Sequence, residues 1–127
     1  MSHAYHTSVA VSDITKSKRL YKGIFEQLRW HIKYEDEESI SFTDGRFEFW
    51  LITADNSGPG RQQGSVGFTH FAFRVQTKEE VDAFYKWLLT SSAVVDIEPK
   101  AYPEYTEKYY AVFFFDNDGT RLEVVYT

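Results

Sequence analysis

Apolar and polar positions follow the same order twice along this chain. Near the start, Thr7, Val9 and Val11 fall on one side of an extended run, and His6, Ser8, Ala10 and Ser12 on the other. Further on, Phe71, Phe73 and Val75 share a side opposite His70, Ala72 and Arg74. In both runs one side is bulky or β-branched, as a helix-covered face should be, and the other carries the smaller or polar residues. Each run leads through a polar turn into a helical pattern. Ile14, Leu20, Tyr21, Ile24, Phe25 and Leu28 make one stripe, predicting a helix over 14–27 capped by Ser12 or Asp13. Thr77-Lys78-Glu79-Glu80 has the form of a capping box, and Val81, Phe84, Tyr85 and Leu88 continue it with i, i+3, i+4, i+7 spacing.

Three strands are expected after each helix, over 29–35, 38–43 and 46–54, and over 93–98, 109–116 and 121–126. Asp44-Gly45 and Asn117-Asp118-Gly119 supply the tight turns between the last two of each set. At an offset of 64, His6 falls on His70, Val11 on Val75, Tyr21 on Tyr85 and Lys22 on Lys86 without a gap. The reading is one α+β domain over 1–127, made of two βαβββ modules (about 1–54 and 67–127). A linker rich in Gly, Asn, Ser and Gln joins them over about 55–66. The acidic run Glu35-Asp36-Glu37-Glu38 reads as a solvated hairpin turn.

Composition narrows the function classes. A formal net charge of −5 argues against nucleic acid as the main partner. With no cysteine, disulfides, zinc–thiolate centres and cysteine nucleophiles are excluded. Residues 1–13 lack a basic stretch followed by a long apolar run, so no signal peptide is expected. No stretch is long and apolar enough to predict a membrane span, and a cytoplasmic location fits. Aromatic residues make up 18% of the chain, enough to fill a core, line a pocket or cover a subunit interface.

Candidate chemistry sits on the less bulky faces. His6 and His70 open equivalent strands, and in a pseudo-symmetric pair of sheets they would face a shared cavity. In the last strand Glu123 points away from Leu122, Val124 and Tyr126; in its counterpart Glu48 points away from Phe47, Phe49 and Leu51. An acid inside such an apolar run needs a partner, an exposed face or a metal. Two histidines and a carboxylate suit Fe, Mn, Ni, Co or Zn as a divalent ion, with Glu48 as a possible fourth ligand and Glu123 or Glu48 as a proton carrier. If Trp50 takes the place of Glu48 on that face, three protein ligands remain. Tyr102, Tyr105 and Tyr109 lie in a loop that either covers a substrate or packs as a loop or dimer contact. Arg74, on the His70 face, either holds an anionic substrate group or pairs with an internal acid. No glycine-rich phosphate loop, G-x-S-x-G elbow or H-E-x-x-H motif is present.

These segments together, HTSVAVSD, YKGIFEQL, GFTHFAFRV and YYAVFFFDNDGTRLEVVY, resemble the vicinal oxygen chelate superfamily, which includes glyoxalase I, fosfomycin and bleomycin resistance proteins and extradiol dioxygenases. The resemblance covers nearly the whole chain. It implies paired βαβββ modules in a curved, barrel-like mixed sheet with a helix outside each module, often as a homodimer. It also implies His6, His70 and Glu123 as metal ligands, with Glu48 the less secure fourth. Two departures stand out: Asp116-Asn117-Asp118-Gly119 replaces the usual aspartate-proline-aspartate-glycine turn, and Leu28-Arg29 replaces the usual leucine-glycine after the first helix.

The fold hosts many reactions. The leading expectation is a metal-dependent lyase or isomerase of glyoxalase type, acting on a small oxygenated metabolite through an enediolate. A ring-cleaving dioxygenase ranks lower, because such enzymes commonly carry a second pair of modules. A non-enzymatic protein that sequesters a drug or metabolite, as bleomycin resistance proteins do, is the alternative from a different class.

Overall fold

The computed structural model describes residues 1–56 and 58–127; Ser57, within the expected linker, lies outside the described residues. Two compact units result, Met1–Gly58 and Pro59–Thr127. The first contains β1 (His6–Val11), α1 (Ile14–Leu28), β2 (His31–Glu35), β3 (Ser39–Thr43) and β4 (Glu48–Thr53). The second contains β5 (Phe71–Val75), α2 (Lys78–Leu88), β6 (Val94–Ala101), β7 (Tyr110–Phe115) and β8 (Arg121–Tyr126). Each unit holds a four-stranded mixed sheet, in the order β1-β4-β3-β2 and β5-β8-β7-β6. The first strand pairs in parallel with the last, and the others pair antiparallel. This is the expected βαβββ order, twice.

In the first unit α1 lays Leu20, Tyr21, Ile24 and Phe25 against the side of the sheet that carries Ile40, Phe42, Phe49 and Leu51, all buried. The rings interlock: Phe25 lies 4.4 Å from Phe42 and 5.4 Å from Phe49, centroid to centroid. In the second unit Val81, Phe84 and Leu88 of α2 are buried with Phe73, Phe114, Leu122 and Val124, and Phe84 meets Phe114 at 5.4 Å. The helix-facing positions are those that the alternation assigned.

Helix ends follow local chemistry. The Asp13 carboxylate caps α1 by accepting from the Lys16 N–H at 3.1 Å. Thr77 caps α2 by accepting from the Glu80 N–H, while Glu80 reaches back to the Gln76 N–H at 2.8 Å, one residue before the position that a capping box prescribes. The departure at Leu28-Arg29 does not change the turn. Arg29 takes the left-handed conformation that glycine would supply (φ 62°), and the next N–H, of Trp30, bonds the Phe25 carbonyl at 2.9 Å. A side chain in that conformation costs about 1–2 kcal/mol. Arg29→Gly is therefore expected to stabilise the chain by roughly 0.5–1 kcal/mol, after the greater freedom of glycine in the unfolded chain is subtracted, measured as a higher urea midpoint.

Two expected boundaries move most. The β6 strand continues past 98 to Ala101 through Pro99, because it is the edge of its sheet and its pairing with β7 is irregular between Ile97 and Lys100. Residues 59–66 belong to the second unit rather than to a free linker. The Arg61 N–H bonds the Asp118 carbonyl at 3.1 Å, and its guanidinium donates to the carbonyls of Ser65, Val66 and Phe68. Gly119 (φ 82°) makes this approach possible, since a Cβ there would lie 2.8 Å from the Arg61 carbonyl oxygen. The acidic run is exposed at the β2–β3 hairpin, as expected, and it is also bonded: Glu35 pairs with Lys18 and Lys22 at 3.1 and 3.2 Å, and Asp36 accepts from Tyr34, Glu38 and Ser39. Among the described residues, no helix is long and apolar enough to cross a membrane.

Candidate metal and substrate site

The second unit holds one candidate group of side chains, around Glu123. Glu123, on β8 between Leu122 and Val124, points away from α2 and is 1% exposed. In register it lies between Ala72 of β5 and Phe113 of β7. Its Oε1 is 3.0 Å from His70 Nε2, and its Oε2 accepts from the Tyr109 hydroxyl at 2.5 Å. His70 immediately precedes β5; its Nδ1 lies 3.0 Å from the Thr69 hydroxyl, and its ring meets Phe113 edge-on at 5.4 Å. The histidine is thus oriented at both nitrogens and at one ring face.

The tyrosine loop, residues 102–109, folds onto this same face. Tyr102, Ala111, Phe113 and Val125 form a buried cluster with Tyr109 packed against it. Tyr102 stacks on Tyr105 at 5.4 Å and meets Phe113 edge-on at 5.9 Å. Its hydroxyl is buried without a partner among the described residues. Burial raises the pKa of Tyr109 and Tyr102; for Tyr109 the bond to Glu123 adds to the rise. Tyr109 is therefore a neutral donor that fixes the Glu123 carboxylate.

The first unit holds another candidate group, around Glu48. His6 and Glu48 are register partners across the parallel β1–β4 pair. Glu48 is 4% exposed, yet its carboxylate is filled by donors: the Tyr5 hydroxyl at 3.2 Å, the Trp50 indole at 2.9 Å and the Lys33 ammonium. The Lys33 bond first, then the indole, hold Glu48 below the usual carboxylate range, and Glu48 in turn raises Lys33. Trp50 does not displace Glu48 from its face; it donates to it, with its ring 5.7 Å from Tyr34.

Among the described residues no group of three or more His, Cys, Asp or Glu side chains lies close enough to hold a metal; His70 and Glu123 are in direct contact, whereas His6 and Glu48 are partners in strand register. The His70–Glu123 pair is at hydrogen-bond distance, a spacing that two ligands of one ion would share. Ligand atoms each about 2.1 Å from a shared cation and at right angles to each other sit about 3 Å apart, the separation of His70 Nε2 and Glu123 Oε1. The pair also offers an imidazole nitrogen and a carboxylate oxygen, donor types that first-row divalent ions accept.

Arg74 is exposed and donates to the Thr127 carbonyl at 2.6 Å. Arg121, which the sequence did not single out, lies two residues from Glu123, bonds Asp96 at 2.9 Å and places its guanidinium 4.1 Å from the Phe113 ring centre. Beside it is a cavity of about 250 Å³ lined by Arg61, Gln63, Ser65, Phe68, Thr69 and Arg121, with Thr69 adjoining His70. Lys33 and Tyr5 were also missed. A pairing shift between Ile32 and Tyr34 marks an irregularity at Lys33 that alternation cannot forecast.

A family model described as the Glyoxalase/Bleomycin resistance protein/Dioxygenase superfamily matches residues 3–124. The chain belongs to this superfamily. Among curated members, the metallothiol transferase FosB of Staphylococcus saprophyticus is 28% identical over 119 residues, covering 94% of this chain and 73% of FosB. Two superfamily structures share the fold. A glyoxalase/bleomycin resistance protein from Albidiferax ferrireducens has a TM-score of 0.81 at 21% identity, covering 97% of this chain and 98% of its own. The fosfomycin resistance protein FosX from Listeria monocytogenes has a TM-score of 0.74 at 18% identity, covering 100% of this chain and 94% of its own.

Proposed function

We propose that this superfamily member is a divalent-metal-dependent enzyme acting on a small oxygenated metabolite, with His70 and Glu123 as metal ligands. The observation that carries this reading is the buried Glu123 carboxylate, joined to His70 Nε2 at 3.0 Å and held in place by Tyr109. A bound divalent ion would supply a Lewis acid that polarises a substrate oxygen. The protein's own part is orientation and exclusion of water. Thr69 sets the His70 ring, Tyr109 sets Glu123, and Phe113 with Tyr102 gives the site an apolar wall. Tyr102 and Tyr105 are proposed substrate contacts, and the buried Tyr102 hydroxyl is a donor that a substrate oxygen would satisfy. The cavity beside Thr69 and Arg121 is the proposed seat of the rest of the substrate. A homodimer belongs to the same proposal, since Tyr34 and Ile52 leave apolar surface exposed on the first unit.

For the reaction, the first reading is a lyase or isomerase of glyoxalase type, with Glu123 moving a proton. A second reading, transfer of a thiol, is favoured by the 28% identity to a metallothiol transferase over 94% of this chain. The test supplies metal-loaded protein with the hemithioacetal of a 2-oxoaldehyde and, separately, with fosfomycin and a thiol, each followed by proton NMR. The expected result is turnover of one substrate class, lost on chelation and in Glu123→Gln. Turnover indifferent to both treatments would overturn the metal reading. Ligand binding that is equally indifferent, with no turnover, would leave sequestration in its place.

A further inference from the structure

Resting on the reading of the cavity beside Thr69 as the seat of the rest of the substrate, we infer that this cavity is an oxyanion subsite, taking a carboxylate or a phosphonate on the cation of Arg61. The cavity lies wholly within the second unit, lined by Arg61, Gln63, Ser65, Phe68, Thr69 and Arg121. Its polar lining is made of guanidinium groups, amides and hydroxyls, and among the described residues no carboxylate lines it. The two cations differ. Arg121 gives Nε and a terminal nitrogen to Asp96 at 3.0 and 2.9 Å, so its charge is matched. Arg61 pairs with no carboxylate among the described residues. Its guanidinium donates instead to the carbonyls of Ser65, Val66 and Phe68. Carbonyl oxygens orient a guanidinium but leave its unit charge in place.

The loop holds that charge in a fixed place. Gly67 has φ 125°, and a Cβ there would lie 3.3 Å from the guanidinium, so the chain wraps Arg61 closely. The Arg61 N–H bond to the Asp118 carbonyl ties the loop to the turn before β8. A cation already ordered at the wall of a concave site attracts an anion at little further entropic cost. The chain as a whole carries a net charge of −5, so this local cation, and not the overall field, supplies the attraction. The Ser65 and Thr69 hydroxyls line the same cavity and add O–H donors. Thr69 also bonds the neighbouring His70 ring, so the oxyanion is the far end of a substrate whose reacting oxygen lies at the His70–Glu123 pair.

The test is proton–nitrogen NMR of the chelator-treated full chain, titrated with methylphosphonate and, separately, with acetate. Saturable binding is expected, with shifts confined to residues 61–69 and 119–121. Saturation by either probe supports the inference, and the tighter of the two identifies the source of the oxyanion. The neutral dimethyl ester of methylphosphonate should leave the same resonances unmoved. Ser65→Asp sets a carboxylate in the cavity while leaving the backbone carbonyls that hold Arg61. It should weaken binding at least about tenfold, the loss expected when one charge-assisted hydrogen bond is cancelled. Arg61→Gln should weaken it by at least as much, and Arg61→Lys, which keeps the charge, by less. Shifts spread over other basic residues without saturation would overturn the inference, as would Ser65→Asp binding the anions as the parent does. A parent that binds the anions but takes up no divalent ion would defeat the metal reading and leave the subsite standing. A parent that takes up the ion while these resonances ignore both anions would defeat the subsite alone.

Discussion

Glu123→Gln is expected to raise the dissociation constant for Zn(II) or Co(II) by at least about 100-fold, with the fold retained. The side chain is 1% exposed and one oxygen faces His70 Nε2 at ligand-to-ligand spacing, so the substitution removes a charged donor without opening a cavity. The neutral amide keeps the volume and still accepts from Tyr109, which is why far-UV circular dichroism should be unchanged. Tyr109→Phe supplies the graded control. It leaves both ligands and removes only the hydroxyl that fixes Glu123, and loss of such an outer partner typically weakens a metal about 10–100-fold. If Glu123→Gln bound metal as the parent does, the His70–Glu123 pair would be a structural ion pair and nothing more.

The second large effect belongs to the core of the first unit. Phe25→Ala is expected to cost about 3–5 kcal/mol, the range for removing a fully buried aromatic ring. Phe25 is 1% exposed and its ring meets those of Tyr21, Trp30, Phe42 and Phe49. These neighbours come from one helix, the following turn and two strands, so local collapse cannot close the gap. Urea unfolding should show a midpoint lower by roughly 1–3 M with an unchanged slope. Leu89→Ala, at an exposed position after α2, should shift it by less than about 0.5 kcal/mol. Equal effects of the two substitutions would contradict the packing described.

The fold was legible because its signals are local and repeated. Alternation placed Glu48 and Glu123 opposite the helix-covered faces, and caps at Asp13 and Thr77 set the helix starts. The resemblance drawn from those segments agrees with the family model over residues 3–124. The site was legible only as far as strand facing determines it. His70 with Glu123 follows from two parallel strands in register, β5 and β8. The occupant of the Glu48 carboxylate does not, because Lys33 reaches it from β2 at an irregularity, and Tyr5 from before β1. The tyrosine loop was recognised, yet composition could not distinguish Tyr109, which bonds Glu123, from Tyr105, which remains exposed. The bond from Arg74 to Thr127 was not legible either, because a backbone carbonyl is an acceptor that carries no sequence signature.

The central claim is that His70 and Glu123 bind a divalent cation together. The most direct measurement is elemental analysis of the purified parent, followed by Zn(II) titration of metal-stripped parent, His70→Ala and Glu123→Gln. The account predicts about one ion per chain in the parent and none retained by either variant. A parent that neither holds nor takes up an ion, or variants that bind it as the parent does, would contradict the account.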